Sequence, residues 1–294
     1  MKRAAIALAA ACGSSSHPKP DAPAPPRCDP TAAFGTPAPV GGLDTAGDEL
    51  AARLTPDELV VVFAYASAPG GKLDIYTATR ASTTDSFGAP TPIGAVNSVY
   101  DDSSPTLSPD QLLLVFDSDR GANGMSHVYA SARAAAAATF GPPVEAIALS
   151  DGEDHPLLAN GTTLYFASAV RAGVGMHDLW RAPIDDSGAV GTPMQVPGAA
   201  INTADDEDDP VVTADELALF FVRTTAAAGA GVYAATRPTA AADFGEPALV
   251  TGLAPTSATA VPSWISPDQC DLYFTSDMAG GAGGQDVYVV TRGP

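Results

Sequence analysis

The chain has 294 residues, enough for one or two ordinary domains, with 34 acidic side chains against 14 basic ones and a formal charge of −20. That balance excludes nucleic acid, whose phosphates need a basic footprint, and it disfavours adsorption to anionic lipid headgroups. Acidity supports solubility and by itself names no partner.

Met1-Lys-Arg is a positively charged start, residues 4–11 form a short apolar stretch, and Cys12-Gly-Ser-Ser follows at once. Together these make an export signal; the stretch is too short for a bilayer, which needs about 20 apolar residues. Leu8-Ala-Ala-Ala-Cys12 resembles a bacterial lipobox, with Leu8 one place further from the cysteine than usual. The resemblance implies that residues 1–12 are a signal ending at a lipidated Cys12. Gly13 after it implies sorting to a Gram-negative outer membrane, facing the periplasm or the cell surface. Residues 13–27, rich in Pro, Ser and Ala, read as a semi-rigid tether.

Residues 28–294 carry an internal repeat. Leu54-Thr-Pro-Asp-Glu, Leu107-Ser-Pro-Asp-Gln, Leu158-Ala-Asn-Gly, Val212-Thr-Ala-Asp-Glu and Ile265-Ser-Pro-Asp-Gln each precede an apolar run. Their spacing of about 53 residues is that of propellers and other arrays. A second element closes each repeat: Phe87-Gly-Ala-Pro, Phe140-Gly-Pro-Pro, a degenerate Val190-Gly-Thr-Pro and Phe244-Gly-Glu-Pro. The fifth copy is missing after Ile265 and stands at the other end, as Phe34-Gly-Thr-Pro37. A chain that lends its first strand to its last repeat closes a ring.

The second repeat shows the unit. Pro105-Thr-Leu-Ser reads as a short inner strand, residues 112–118 as a buried strand, residues 128–132 as a third, and Phe140-Gly-Pro-Pro leads to an edge strand. Short strands rich in β-branched and aromatic residues, punctuated by Gly, Pro and Asp, are all-β signals. Four antiparallel strands per repeat make one propeller blade. The reading is a single all-β domain, a five-bladed β-propeller closed by its N-terminal strand.

These motifs resemble the WD40-like propeller repeats with a Ser-Pro-Asp-Gly turn, found in TolB-like proteins and bacterial envelope lipoproteins. The strand pattern is met by residues 112–118, Leu164-Tyr-Phe-Ala-Ser168 and Leu272-Tyr-Phe-Thr-Ser276. Asp74-Ile-Tyr76, Asp178-Leu-Trp180 and Asp286-Val-Tyr288 follow it, with Arg80, Arg133, Arg237 and Arg292 at the basic position. The usual turn glycine survives only as Gly161, so the turns at Glu58, Gln111, Glu216 and Gln269 are expected to avoid positive φ. The fourth repeat has lost Ser-Pro and the Asp, and is expected to be the least regular blade. With Cys12 assigned to lipid, Cys28 and Cys270 remain, in a disulfide-permissive compartment and at the two ends of the ring closure, which predicts a bridge.

Acidic runs precede the inner strand of most repeats and should share one rim of the channel: Asp101 and Asp102; Asp151, Glu153 and Asp154; and Asp205, Asp206, Glu207, Asp208 and Asp209. Carboxylates in a ring suit Ca²⁺, which takes six to eight oxygens, or a cationic or polyhydroxylated ligand; the plainer reading is that each caps a local turn. His155 beside Asp154 is the one histidine pair that merits inspection, and Trp264 is placed to line the channel. No metal-ligand spacing, nucleophile elbow or other catalytic motif occurs, so no catalytic or metal residue is assigned. The sequence thus reads as a non-catalytic, envelope-anchored binding or scaffolding module for a protein or small ligand. In that reading it is monomeric and touches the membrane only through its lipid. The alternative is a carbohydrate-active enzyme of the glycosidase type using rim carboxylates.

Overall fold

The computed structural model describes residues 27–121, 124–146, 149, 152–254 and 258–293. The signal, Cys12, the tether as far as residue 26, and Asp151 lie outside the described residues. After β1 (Ala38–Pro39) come four consecutive four-stranded antiparallel blades. Blade 1 holds β2 (Asp48–Leu54), β3 (Val60–Ala66), β4 (Asp74–Thr79) and β5 (Thr91–Pro92). Blade 2 holds β6 (Asp102–Leu107), β7 (Leu113–Ser118), β8 (His127–Ala132) and β9 (Val144–Glu145). Blade 3 holds β10 (Glu153–Ala159), β11 (Thr163–Ser168), β12 (Asp178–Pro183) and β13 (Met194–Gln195). Blade 4 holds β14 (Asp206–Val212), β15 (Ala218–Thr225), β16 (Gly229–Thr236) and β17 (Ala248–Leu249). Blade 5 is β18 (Val261–Ile265), β19 (Asp271–Ser276) and β20 (Asp286–Thr291), completed by β1 in the order β1-β20-β19-β18.

The second strands are apolar on both faces because each blade is covered on both sides by its neighbours; β7, β11 and β19 are buried almost throughout. The core is therefore divided into clusters at the blade interfaces. Leu113, Val115 and Val128 of blade 2 meet Leu158, Leu164 and Phe166 of blade 3, for example, and Phe63 and Ala78 of blade 1 meet Tyr273 and Val287 of blade 5.

Every inner strand contains a β-bulge, one residue extra against its partner. In four blades the extra residue is left-handed: Ala51 (φ 51°), Ser104 (47°), His155 (49°) and Asp209 (49°). Blade 5 has Pro262 there, whose ring forbids that conformation. The bulge lets a strand run on through Pro105, so β6 begins at Asp102. The acidic runs accordingly form the first half of the inner strands, where the sequence suggested preceding loops.

Positive φ does occur at the turns, contrary to expectation: Glu58 (61°), Gln111 (64°), Glu216 (58°) and Gln269 (61°). The reason is a three-residue loop, in which a tight turn is followed by a left-handed residue. Gln111 N donates to Ser108 O (2.8 Å) across Pro109 and Asp110, and Ser108 Oγ donates to Asp110 Oδ1 (2.6 Å). The repeat arginine then binds the strained residue's carbonyl: Arg80, Arg133, Arg237 and Arg292 Nε donate to Glu58, Gln111, Glu216 and Gln269 O at 2.7, 2.7, 2.6 and 3.0 Å. Beneath each guanidinium lies the Phe of a Phe-Gly-x-Pro element, Phe87, Phe140, Phe244 and Phe34, at 4.6, 4.3, 4.3 and 4.0 Å. Turn, arginine and phenylalanine thus form one unit, and Phe34 supplies its missing member to blade 5.

Blade 4 is no less regular than the others: its β15–β16 hairpin runs unbroken from Ala218↔Thr236 to Thr225↔Gly229, the longest ladder in the described ring. Losing the Gly-rich loop there shortened the connection. In blades 3 and 5 that loop wraps an aspartate so closely that a Cβ at Gly173 would lie 1.5 Å from Asp178 Oδ2.

Closure rests on β1 pairing with β20, on Asp29 N donating to Gly293 O (3.1 Å), and on a Cys28–Cys270 disulfide across 242 residues, both cysteines buried. Arg27, the first described residue, pairs with Asp268 beside it (2.9 Å). Replacing both cysteines by alanine is expected to lower stability by about 5 kcal/mol in the chain-entropy account, read as the denaturant midpoint. Gln111→Gly, at a left-handed site whose side chain makes no hydrogen bond, is expected to add about 0.5–1 kcal/mol, read the same way.

Candidate functional site: the acidic mouth of the channel

Aligning the inner strands on their bulges separates the acids by job. One position carries Glu49, Asp102, Glu153 and Glu207, all fully buried. Asp102 pairs with Arg120, Glu153 with Arg171, and Glu207 with Arg223 (2.8 Å), the arginines lying over blade aromatics. Glu207 also accepts from Thr203 N (2.8 Å) and Oγ1 (2.6 Å), closing the turn before its strand. These acids are internal struts. Blade 1 has Tyr65 opposite Glu49 where blade 4 has Arg223 opposite Glu207. Without an arginine, burial pushes the Glu49 carboxyl up to about 7.

The preceding position joins neighbouring blades. Asp101 Oδ1 accepts from Leu73 N (2.8 Å), Asp206 Oδ1 from His177 N (2.9 Å), and Asp48 Oδ1 from Gln285 N (2.9 Å). Asp205 sits half-buried on the loop before β14, its N–H on Thr203 Oγ1 (3.2 Å).

Asp154, Asp208 and Asp209 remain, and they converge. At the bulge and the residue before it, blades 1 to 5 carry Ala51/Leu50, Ser104/Ser103, His155/Asp154, Asp209/Asp208 and Pro262/Val261. Only blades 3 and 4 place charge there, and the ring brings these neighbours together. His155 Nδ1 lies 2.8 Å from Asp208 Oδ1 and 3.7 Å from Asp154 Oδ1, and its Nε2 lies 3.6 Å from Asp209 Oδ1. Its backbone N–H donates to Asp117 Oδ2 of blade 2 (3.0 Å). The His155–Asp154 pair is thus part of a larger constellation that includes Asp117.

The floor is Arg53, 4% exposed, whose guanidinium donates to the carbonyls of Ser104 (2.8 Å), Pro156 and Ser263 (3.3 Å), from blades 2, 3 and 5. Beyond it the opposite mouth is apolar, a cavity of about 60 Å³ lined by Leu54, Leu107, Leu158, Val212, Ile265 and Trp264. Trp264 does line the channel, at that end. Arg53 and Asp117 escaped the sequence reading. Arg53 was legible as the one charge at a position otherwise held by Thr106, Leu157, Val211 and Trp264, and Asp117 as an acid inside a buried strand.

Electrostatics follow from crowding at low dielectric. Burial pushes Asp209 up to about 7, against the opposing pull of His155, and Asp154 up to about 6. Burial alone would lower His155, but Asp209 and Asp208 overcome it and hold the ring protonated. Burial likewise opposes ionisation of Asp208, and the charge and hydrogen bond of His155 outweigh it. The result is an ionised Asp208 locked to an imidazolium, flanked by two carboxyls poised near neutrality.

No protein-family profile and no curated protein matches the sequence. Solved structures do resemble the fold. TolB from Acinetobacter baumannii matches at a TM-score of 0.53 and 13% identity, over 83% of this chain and 55% of that one. The chain thus spans about half of that protein's length. The GH43_1 enzyme from Xanthomonas citri complexed with xylotriose matches at 0.60 and 12%, over 86% and 88%. An alpha-L-arabinofuranosidase from Podospora anserina in complex with cellotriose matches at 0.55 and 10%, over 90% and 98%. At such identities the likeness is one of fold.

Because the folded chain keeps a proton on Glu49 up to about 7 that the unfolded chain releases near 4.5, stability falls as pH rises between those values. Glu49→Gln abolishes that loss: its advantage over wild type is expected to grow by about 3 kcal/mol from pH 4.5 to 8, read from urea midpoints.

Proposed function

We propose that this protein is an exported, envelope-anchored propeller that acts as a non-catalytic binding module and takes its partner at the acidic mouth of the channel. The observation that carries the reading is the departure of blades 3 and 4 from the repeat. Asp154, His155, Asp208 and Asp209 stand where the other blades carry small or apolar side chains, half-buried and facing one another. A repeat that needed these side chains only for folding would carry them five times. Apolar loops flank the same mouth, with Val99 82%, Tyr100 50%, Val174 64% and Met176 70% exposed, a surface suited to a protein carrying a cationic group. A rigid ring presents such a surface at little ordering cost. Anchorage through Cys12 and an outer-membrane location rest on the N-terminal sequence.

One observation favours a second reading, a glycosidase. Carboxyls held at about 6 and 7 beside an ionised Asp208 are in the range of a general acid, and the resembling folds include glycoside-active enzymes. The two separate in one experiment. Wild type is expected to retain an envelope protein or ligand that D154N releases, with the two thermal midpoints alike, and to leave aryl-xylosides and aryl-arabinofuranosides intact. Turnover lost in D154N would move the assignment to the enzyme. Neutralising the whole run from Asp205 to Asp209 is uninformative, since it also removes the buried Glu207–Arg223 pair.

A further inference from the structure

We infer that the acidic mouth is a binding site for one divalent transition-metal ion, held by His155 Nδ1 and one carboxylate oxygen each from Asp154 and Asp208. The inference deepens the reading of the mouth as a binding site and rests on it.

The geometry supplies the donor set. The three ligand atoms come from adjacent inner strands, β10 and β14, and all lie within 4.8 Å of one another. Nδ1 stands 2.8 Å from Asp208 Oδ1 and 3.7 Å from Asp154 Oδ1. Ligands bound at about 2.0–2.2 Å around a four-coordinate ion stand about 3.3 Å apart, so the observed separations bracket what a metal needs. Those two separations each need about half an ångström of side-chain adjustment, and the third lies within the 4.8 Å bound.

An independent observation is that Asp154 Oδ1 is shut off from solvent and accepts no hydrogen bond. An acceptor so placed recovers only the longer-range attraction of the His155 ring, 3.7 Å away, against its desolvation cost. It is aimed at the imidazole nitrogen that Asp208 shares, and a cation between the three atoms supplies what it lacks.

The far side of the ring is also arranged. Asp209 Oδ1 faces Nε2 at 3.6 Å, outside hydrogen-bond distance, and a shortening of that contact on metal binding would give the carboxylate–histidine–metal arrangement that strengthens the ligand nitrogen. The backbone of His155 is pinned by Asp117 and by the bulge. In the metal-free protein the Nδ1 proton occupies the space between ring and carboxylate. Binding expels that proton to solvent as the metal–nitrogen bond forms, and no redox partner is needed.

The donors select the metal. One imidazole and two carboxylates suit Zn²⁺ or Mn²⁺ and leave positions open for solvent or a partner's ligand atom. Ca²⁺, which seeks six to eight oxygens, is poorly served by a set containing nitrogen. This narrows the oxygen-ring expectation from the sequence: Asp102, Glu153 and Glu207 are committed to arginines and take no part.

The test is calorimetric titration of chelator-stripped full-length protein with Zn²⁺, Mn²⁺ and Ca²⁺. Expected is one equivalent of Zn²⁺ or Mn²⁺, not displaced by excess Ca²⁺, with affinity reduced about 100-fold in D154N and in H155Q and about 10-fold in D209N. D205N, on the same acidic run but away from the donors, should bind as wild type does. Failure of wild type to bind saturably, or undiminished binding in both D154N and H155Q, overturns the inference. Should H155Q fail to fold, D154N alone decides, because Asp154 Oδ1 makes no hydrogen bond to lose. Partner capture by stripped protein that binds no metal overturns the metal site and leaves the binding reading standing. Metal bound at the mouth with no partner captured does the reverse.

Discussion

The ring is organised around one buried cation. Five inner strands converge on an axis, and their bulges turn backbone carbonyls towards it. Arg53 enters from blade 1 and donates to carbonyls of blades 2, 3 and 5, so one side chain ties four of the five blades together. Burying a guanidinium is expensive unless its donors are satisfied and opposite charge stands near. Here the carbonyls satisfy the donors, and Asp209 and Asp117 supply the field. Burial lowers Arg53 to about 10, and it stays charged at neutral pH. The acidic mouth depends on this cation as much as the reverse, because four carboxylates could not share so small a space without a positive floor.

Carboxylates in this chain do two kinds of work, and depth relative to the bulge decides which. Two residues before the bulge the acid is fully buried, and in blades 2 to 4 an arginine and an aromatic wait for it; Asp102, Glu153 and Glu207 are members of that set. At the bulge the backbone turns left-handed and the side chain swings to the axis, where no arginine from its own blade can follow. Asp209 and His155 are there because of one extra residue in each strand. The bulge is therefore both a folding device and the means by which the fold presents chemistry at its centre.

Much of this was legible in the sequence, and the parts that were not share a cause. The five blades, the displaced fifth Phe-Gly-x-Pro and the ring closure follow from spacing, since a repeat reports its own period whatever its chemistry. The turn conformation at Glu58, Gln111, Glu216 and Gln269 was misjudged because local propensity argued against positive φ, while the compensation comes from Arg80, Arg133, Arg237 and Arg292, more than 20 residues away in sequence. Blade 4 looked irregular because motif loss was taken for structural loss; a ladder needs backbone pairing, and β15 and β16 have it. The acidic runs were placed on one rim correctly, yet sequence alone could not divide struts from site, because that division turns on a one-residue register shift.

The same reasoning explains why function in a propeller should be sought where the repeat breaks. Symmetric residues answer to the demands of every blade at once and so report on folding: the Ser/Thr–Asp turn pair, the arginine over phenylalanine, the buried acid. A residue free of those demands sits at the axis, where the five strands expose equivalent positions but only one ligand can be accommodated. Leu50 and Ala51, Val261 and Pro262 meet the structural need in blades 1 and 5 without charge. Blades 3 and 4 meet it with Asp154, His155, Asp208 and Asp209, at the cost of burying carboxyls whose desolvation, with like charge beside them, pushes Asp154 up to about 6 and Asp209 up to about 7. Folding gains nothing from burying that charge, and that is the physical ground for proposing a cationic ligand at this mouth.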